Sequence, residues 1–176
     1  MSTSLSTNTN LFQPTGFQVV IDRKQFGNFQ FFVQRIQHPG ASNPVVETPF
    51  RNYASAPMPG GQLQYSDLTM DVMLDEDFNT YNEMYDWIVR LAHVEQIKKR
   101  DNFAGTTAEH PTHCDITVTA LTNQNNKNRR ITYHDCIPHT IGDISFEATN
   151  DTVEYIVFPV SFRFTYFVID RMTDFS

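Results

Sequence analysis

The stretch Gly60–Leu91, GGQLQYSDLTMDVMLDEDFNTYNEMYDWIVRL, decides the fold class. Its first half alternates. Leu68, Met70, Val72 and Leu74 fall on one face of an extended chain, and Thr69, Asp71 and Met73 on the other. Its second half changes period. Phe78, Tyr81, Met84, Tyr85, Ile88, Leu91 and Ala92 form one apolar stripe if the chain is helical. The predicted helix covers about residues 79–93. Asn79 or Thr80 would cap it, and Thr80 with Glu83 fits a capping box. Asp75-Glu76-Asp77 stands just before it, where carboxylates suit the positive end of the helix dipole. Leu63 and Tyr65 are out of phase with Leu68 and Met70, so a bulge is expected near Ser66-Asp67.

Around this strand–helix pair the chain reads as strands. Phe17–Ile21 and Phe29–Ile36 are two, with a turn at Gly27-Asn28. His38 to Gly61 holds Pro39, Pro44, Pro49, Pro57 and Pro59, which confine strand-like Val45-Val46 and Phe50 to Tyr53 to edges or irregular arms. So long an irregular stretch is usually functional or interfacial. Lys98 to His113 reads as a loop. Cys114–Leu121 and Arg129–Ile137 read as a hairpin about the polar tip Asn123–Asn128, and Ile141–Ala148 as a further strand. Val153–Asp170 is the longest alternating run, with Ile156, Phe158, Val160, Phe162, Phe164, Tyr166 and Val168 on one side. Straight, it would extend to roughly 50 Å. It must bend, with Pro159 the expected place, or reach beyond its own subunit. The expected class is mainly β: an antiparallel sandwich or barrel with one flanking helix, in one domain over residues 11–176.

Composition narrows the function. Fifteen Phe and seven Tyr among 176 residues suit packed sheets. A formal net charge of −7 disfavours sequence-independent grip on phosphates, which comes from Lys and Arg displacing counterions. No apolar run approaches 18 residues, so no membrane span is expected. Met1–Asn10 has neither a basic start nor an apolar core. It reads as a solvated arm rather than a signal peptide, and the two cysteines are then expected to be reduced.

Few residues tempt a chemical reading. HPTHC at His110–Cys114 faces HDCIPH at His134–His139 across the hairpin. Its symmetry puts Cys114 opposite Cys136, with His134 expected on the Cys136 face. Thiols and imidazoles suit zinc, but the spacing fits no standard finger or ribbon. A plain pair of half-buried thiols is the expectation, with zinc and a disulfide as alternatives. Asp75-Glu76-Asp77 could serve acid–base or cation chemistry, but a solvated turn ahead of a helix explains it. Asp135 is likewise read as structural. Gly60-Gly61 lacks the Lys-Ser/Thr of a phosphate loop. Trp87 is read as packing or interface, and Lys98-Lys99-Arg100 as the basic end of a helix. No catalytic, cofactor or metal site, and no enzyme, is expected.

Four segments in a consistent order resemble the tail tube proteins of contractile-tailed bacteriophages. They are Asn10-Leu11-Phe12 with Phe17–Ile21; Gly61–Val72; Asp75-Glu76 with the helix carrying Tyr85-Asp86-Trp87-Ile88; and Cys136–Phe146, CIPHTIGDISF, followed by the long closing strand. The resemblance implies a small β sandwich or barrel whose copies join strands into homohexameric rings. These rings stack into the inner tube of a phage tail, with sheath, baseplate and terminator proteins as partners. DNA would pass through an acidic lumen unbound, and the protein would belong to the virion, assembled in the host cytoplasm. The Pro-rich segment and the Lys98–Pro111 loop depart from simple members. They leave open a baseplate-proximal initiator ring or the related type VI secretion tube. From another class, a monomeric ligand-binding β-barrel of lipocalin type is the runner-up.

Overall fold

A computed structural model describes residues 16–21, 32–50, 54–92, 112–146 and 155–171. Eleven strands and one helix are formed among them: β1 Phe17–Val20, β2 Val33–Gln37, β3 Ala41–Ser42, β4 Val45–Phe50, β5 Ala54–Pro59, β6 Gln64–Tyr65, β7 Leu68–Met73, α1 Asn79–Ala92, β8 Cys114–Leu121, β9 Lys127–Ile141, β10 Val157–Arg163 and β11 Tyr166–Arg171. All pairing is antiparallel. One sheet runs β1-β8-β9-β11 and the other β2-β7-β10-β9, so the fifteen-residue β9 belongs to both. Among the described residues neither sheet closes on itself. The sandwich half of the sequence expectation stands, and the barrel half does not.

The corner where β9 changes sheets explains most departures from the predicted strands. Asp135 adopts φ 56°, a left-handed value that Asp tolerates better than most residues. The extra residue breaks the alternation, so Tyr133 and Cys136, three apart, both point inward at 1% and 0% exposure. Opposite it the closing strand breaks at Phe164-Thr165. There the Thr165 amide donates to the His134 carbonyl at 3.0 Å. The bend expected at Pro159 therefore lies five residues later. Pro159 stays in β10 beside Gly142, whose amide donates to its carbonyl at 2.7 Å. A Cβ on Gly142 would overlap the Pro159 ring, so glycine is required. The strand predicted from Ile141 does not form over residues 142–146, because β9 has run unbroken through Pro138 to Ile141.

The core lies between the sheets and beneath the helix. The alternation read in β7 is real: Leu68, Met70 and Val72 are fully buried, paired with Phe162, Val160 and Phe158 of β10. β7 starts after a break at Ser66-Asp67, where the Ser66 amide donates to the Gly40 carbonyl at 3.0 Å. That break frees β6 to pair with β3.

The helix forms where expected, and residue 93 lies outside the described residues. Its buried face is rotated from the predicted stripe. Thr80, Met84 and Trp87 are fully buried and Tyr81 and Leu91 pack against the core, whereas Phe78, Tyr85 and Ala92 face solvent. Trp87 lies 6.2 Å from the Phe162 ring and Tyr81 5.5 Å from that of Phe158. Burying the indole, the largest apolar surface on the helix, sets this rotation.

The cap also differs from the predicted box. The Asp75 carboxylate accepts from the Asn79 and Thr80 amides at 3.0 and 2.9 Å and from the Thr80 hydroxyl at 2.7 Å. Thr80 thus donates into the cap instead of forming it. Burial alone would raise the Asp75 pKa, but the bonds from Thr80 and Asn79 outweigh it and hold the carboxyl below its usual value.

Two outcomes follow from this packing. Trp87→Ala should cost about 3–5 kcal/mol in chemical denaturation, while Tyr85→Ala stays within about 0.5 kcal/mol. Asp75→Ala should cost about 0.5–2 kcal/mol. Because the folded carboxyl titrates below its ordinary value, its stabilisation is complete above the ordinary carboxylate range. It fades as the pH falls through that range and vanishes below the lowered folded pKa. Denaturation midpoints of the two proteins should therefore converge towards low pH.

Candidate functional site

The groups that tempted a chemical reading come together only in part. Cys114 and Cys136 are register partners, as the hairpin symmetry required; both are buried thiols and no disulfide joins them. His134 does not share their face. The Asp135 bulge turns it outward, where its Nδ1 lies 2.9 Å from the Asp115 carboxylate and its ring stacks on Tyr166 at 4.6 Å. His113 Nε2 lies 3.7 Å from Asp135. His139 is exposed, and His110 and Lys98-Lys99-Arg100 lie outside the described residues. Among the described residues no three His, Cys, Asp or Glu side chains converge as metal ligands.

Burial pushes the Cys136 thiol up to about 12, with Asp115 and Asp135 adding to the rise against a backbone hydrogen bond from Ile116. A thiol so protonated is a poor nucleophile and a poor metal ligand. Tyr133 is likewise raised by burial first, and its hydroxyl lies 2.7 Å from His38 Nδ1. His38, Tyr65, Tyr133, Phe164 and Phe167 form a ring cluster inside the corner, which ties the base of the Pro-rich excursion to the sandwich. Asp75 is occupied by its cap. Trp87 is core.

What remains available is surface. Within the two sheets of the sandwich, three strands have a partner on one side only among the described residues: β1, β2 and β11. β11 is the most apolar of them on its exposed positions, with Tyr166 46%, Val168 40% and Ile169 53% exposed. An apolar edge with unpaired backbone donors and acceptors is a template for another strand unless something covers it.

The Pro-rich excursion is the second available surface. It is a regular hairpin of β4 and β5, not an irregular arm, and it carries Val45, Val46 and Met58 at 61%, 56% and 53% exposure. Pro49, Pro57 and Pro59 occupy the same phase of its ladder as Val45 and Glu47. Their missing N–H groups thus fall at positions that need no partner across the strand pair. Gly60 closes the hairpin base against the Pro44 carbonyl, where a Cβ would overlap. Periodicity could not reveal this hairpin, because neither of its faces is buried; the recurring prolines were the available sign.

The buried thiols yield one expected outcome. In the native protein at neutral pH, Cys136 should resist alkylation by iodoacetamide for hours and react once the chain is denatured. Rapid native labelling would place it outside the core.

No curated protein sequence matches the chain. Solved structures do. A chain of the anti-feeding prophage cap, its tube-terminating cap, matches with a TM-score of 0.64 and 15% identity over 98% of this chain and 99% of that one. A chain of an extracellular contractile injection system, the PVC sheath–tube complex in its extended state, matches with a TM-score of 0.64 and 16% identity over 96% and 100%. A chain of the anti-feeding prophage baseplate, 6-fold symmetrised, matches at 0.56 and 10% identity over 94% and 97%. At such identities these likenesses concern the fold. The family described as phage tail tube protein matches residues 5–170, nearly the whole sequence. The chain belongs to the phage tail tube protein family.

Proposed function

We propose that this protein is a non-enzymatic subunit whose copies close into hexameric rings, and that these rings stack as the inner tube of a contractile particle. The observation that carries the reading is the pair of uncovered apolar surfaces, the β11 edge and the β4–β5 hairpin. A monomer would hold both in water. Strand joining between neighbours satisfies the backbone of the edge and removes its aggregation hazard. The hairpin, projecting from the sandwich with no core of its own, serves contacts between stacked rings.

The 6-fold symmetry of the similar baseplate structure supports the ring number, and the similar sheath–tube complex supports a contractile surrounding. Sheath, baseplate and terminator proteins are then the partners. A net charge of −7 suits a conduit through which DNA slides without adhering. The N-terminal segment 1–10 is assigned as an arm reaching a neighbouring copy, and residues 11–176 as the single tube domain. A terminal ring of the same tube is the second reading, favoured by the match to the cap particle.

Purified protein examined by sedimentation velocity and negative-stain electron microscopy should give six-fold rings or hollow tubes as concentration rises. A strict monomer from micromolar to millimolar concentration would overturn the proposal.

A further inference from the structure

Two unpaired surfaces at separate ends of β9 are chemically complementary. At the end near the β8–β9 tip, Arg129 and Arg171 stand directly opposite each other across β9 and β11. They lie on the same side as Ile131 and Ile169. Both arginines are exposed, and neither makes an ion pair among the described residues. Asp170 is registered with Arg130, one step along the ladder and on the opposite side. Like charges directly opposite on neighbouring strands destabilise a sheet. Lys127, also exposed, adds a third cation. In a chain of net charge −7 this concentration of uncompensated cations calls for an anionic partner.

Beyond the other end of β9, the rings of Phe78 and Phe146 stack at 6.4 Å and 29° while 37% and 69% exposed. Phe78 reaches this position with φ 59°, a costly conformation for an aromatic residue. Glu76 and Asp77 beside it are exposed and in no ion pair among the described residues, whereas Asp75 is consumed by the helix cap. Stacked rings left in water beside free carboxylates suit a guanidinium. The ring faces take its plane and the carboxylates take its N–H groups.

We infer that Arg129 and Arg171 of one copy dock on the Phe78–Phe146 ring pair and the flanking Glu76 and Asp77 of another copy. This deepens the self-assembly reading and rests on it. The contact is heterologous, so each copy keeps one free donor surface and one free acceptor surface, and addition continues without limit or closes into a ring. The occupant is a second copy because the complementary surface, in charge and in apolar character, is on the chain itself.

The test uses the full chain. Polymer formed by the unmodified protein should fall between roughly 0.1 and 1 M salt, where the screening length shrinks from about 10 to about 3 Å. Arg129→Glu with Arg171→Glu, and separately Glu76→Arg with Asp77→Arg, should each raise the concentration needed for assembly by at least roughly tenfold, with circular dichroism and thermal midpoint unchanged. Combining all four changes in one chain should restore assembly, because complementarity returns with its sign reversed. Arg129→Ala with Arg171→Ala keeps the test valid if the glutamates disturb the strand.

Unchanged assembly in the charge-reversed and alanine variants would overturn the inference and leave ring formation standing. Failure of the combined chain to recover would overturn the pairing. An unmodified chain that never assembles would overturn the reading beneath it. Retention of a DNA duplex through these arginines, with assembly unaffected by their loss, would assign them to nucleic acid instead.

Discussion

The structure depends on one residue more than on any other: Asp135, which takes a left-handed backbone in the middle of a fifteen-residue strand. That single bulge lets β9 leave one sheet and enter the other. Sandwich corners are commonly built by strands that switch sheets in this way. The partner strand must break at the same level, and it does, at Phe164-Thr165. Both sides of the corner are fixed by local chemistry. The Asp115 carboxylate accepts from the Asp135 amide at 3.2 Å, and inside the turn Tyr133 and Phe164 meet edge to face at 5.3 Å. Packing, not hydrogen bonding alone, holds the bend. A flat continuation would pull the Tyr133 and Phe164 rings apart and leave one apolar face of each sheet uncovered.

The corner also dictates what is left unfinished. By splitting the closing strand it places β11 on the outside of one sheet, while β2 ends the other. A protein that finished its fold alone would close the sheets, cover these edges or charge them. This one keeps Tyr166, Val168 and Ile169 exposed along β11 and extends a hairpin with Val45, Val46 and Met58 in solvent. In a ring of copies the same features become joints. Membership in the phage tail tube family and the incomplete surfaces of the single chain therefore point the same way.

Much of this was legible in the sequence wherever one face of an element meets the core. The alternation of Leu68, Met70 and Val72, the helix from Asn79, the Cys114–Cys136 register and a polar hairpin tip all follow from periodicity and turn chemistry, although the tip is shorter than Asn123–Asn128, since β9 already begins at Lys127. The misreadings have physical causes. The helix face was set by Trp87, whose ring area outweighs the neat stripe through Tyr85. His134 was placed on the wrong face because a two-residue period cannot anticipate a bulge. Of the two ways to accommodate the long closing strand, a bend at Pro159 fails, because a proline at a ladder position that needs no donor leaves a strand intact. The hairpin at residues 45–59 escaped because an element without a buried face leaves no hydrophobic period. The first strand turn and the loop after the helix fall outside the described residues.

The central claim is that neighbouring copies complete the edges this fold leaves open. Amide hydrogen exchange, measured on the same protein assembled and dissociated, tests it most directly. In the dissociated chain the outward-pointing amides of Tyr166–Arg171 should exchange quickly, because they have no partner across the edge. On assembly they should slow by orders of magnitude, while the β7 and β9 amides, already paired on both sides, change little. Fast exchange along β11 in the assembled particle would contradict the account, because the edge would then still be open.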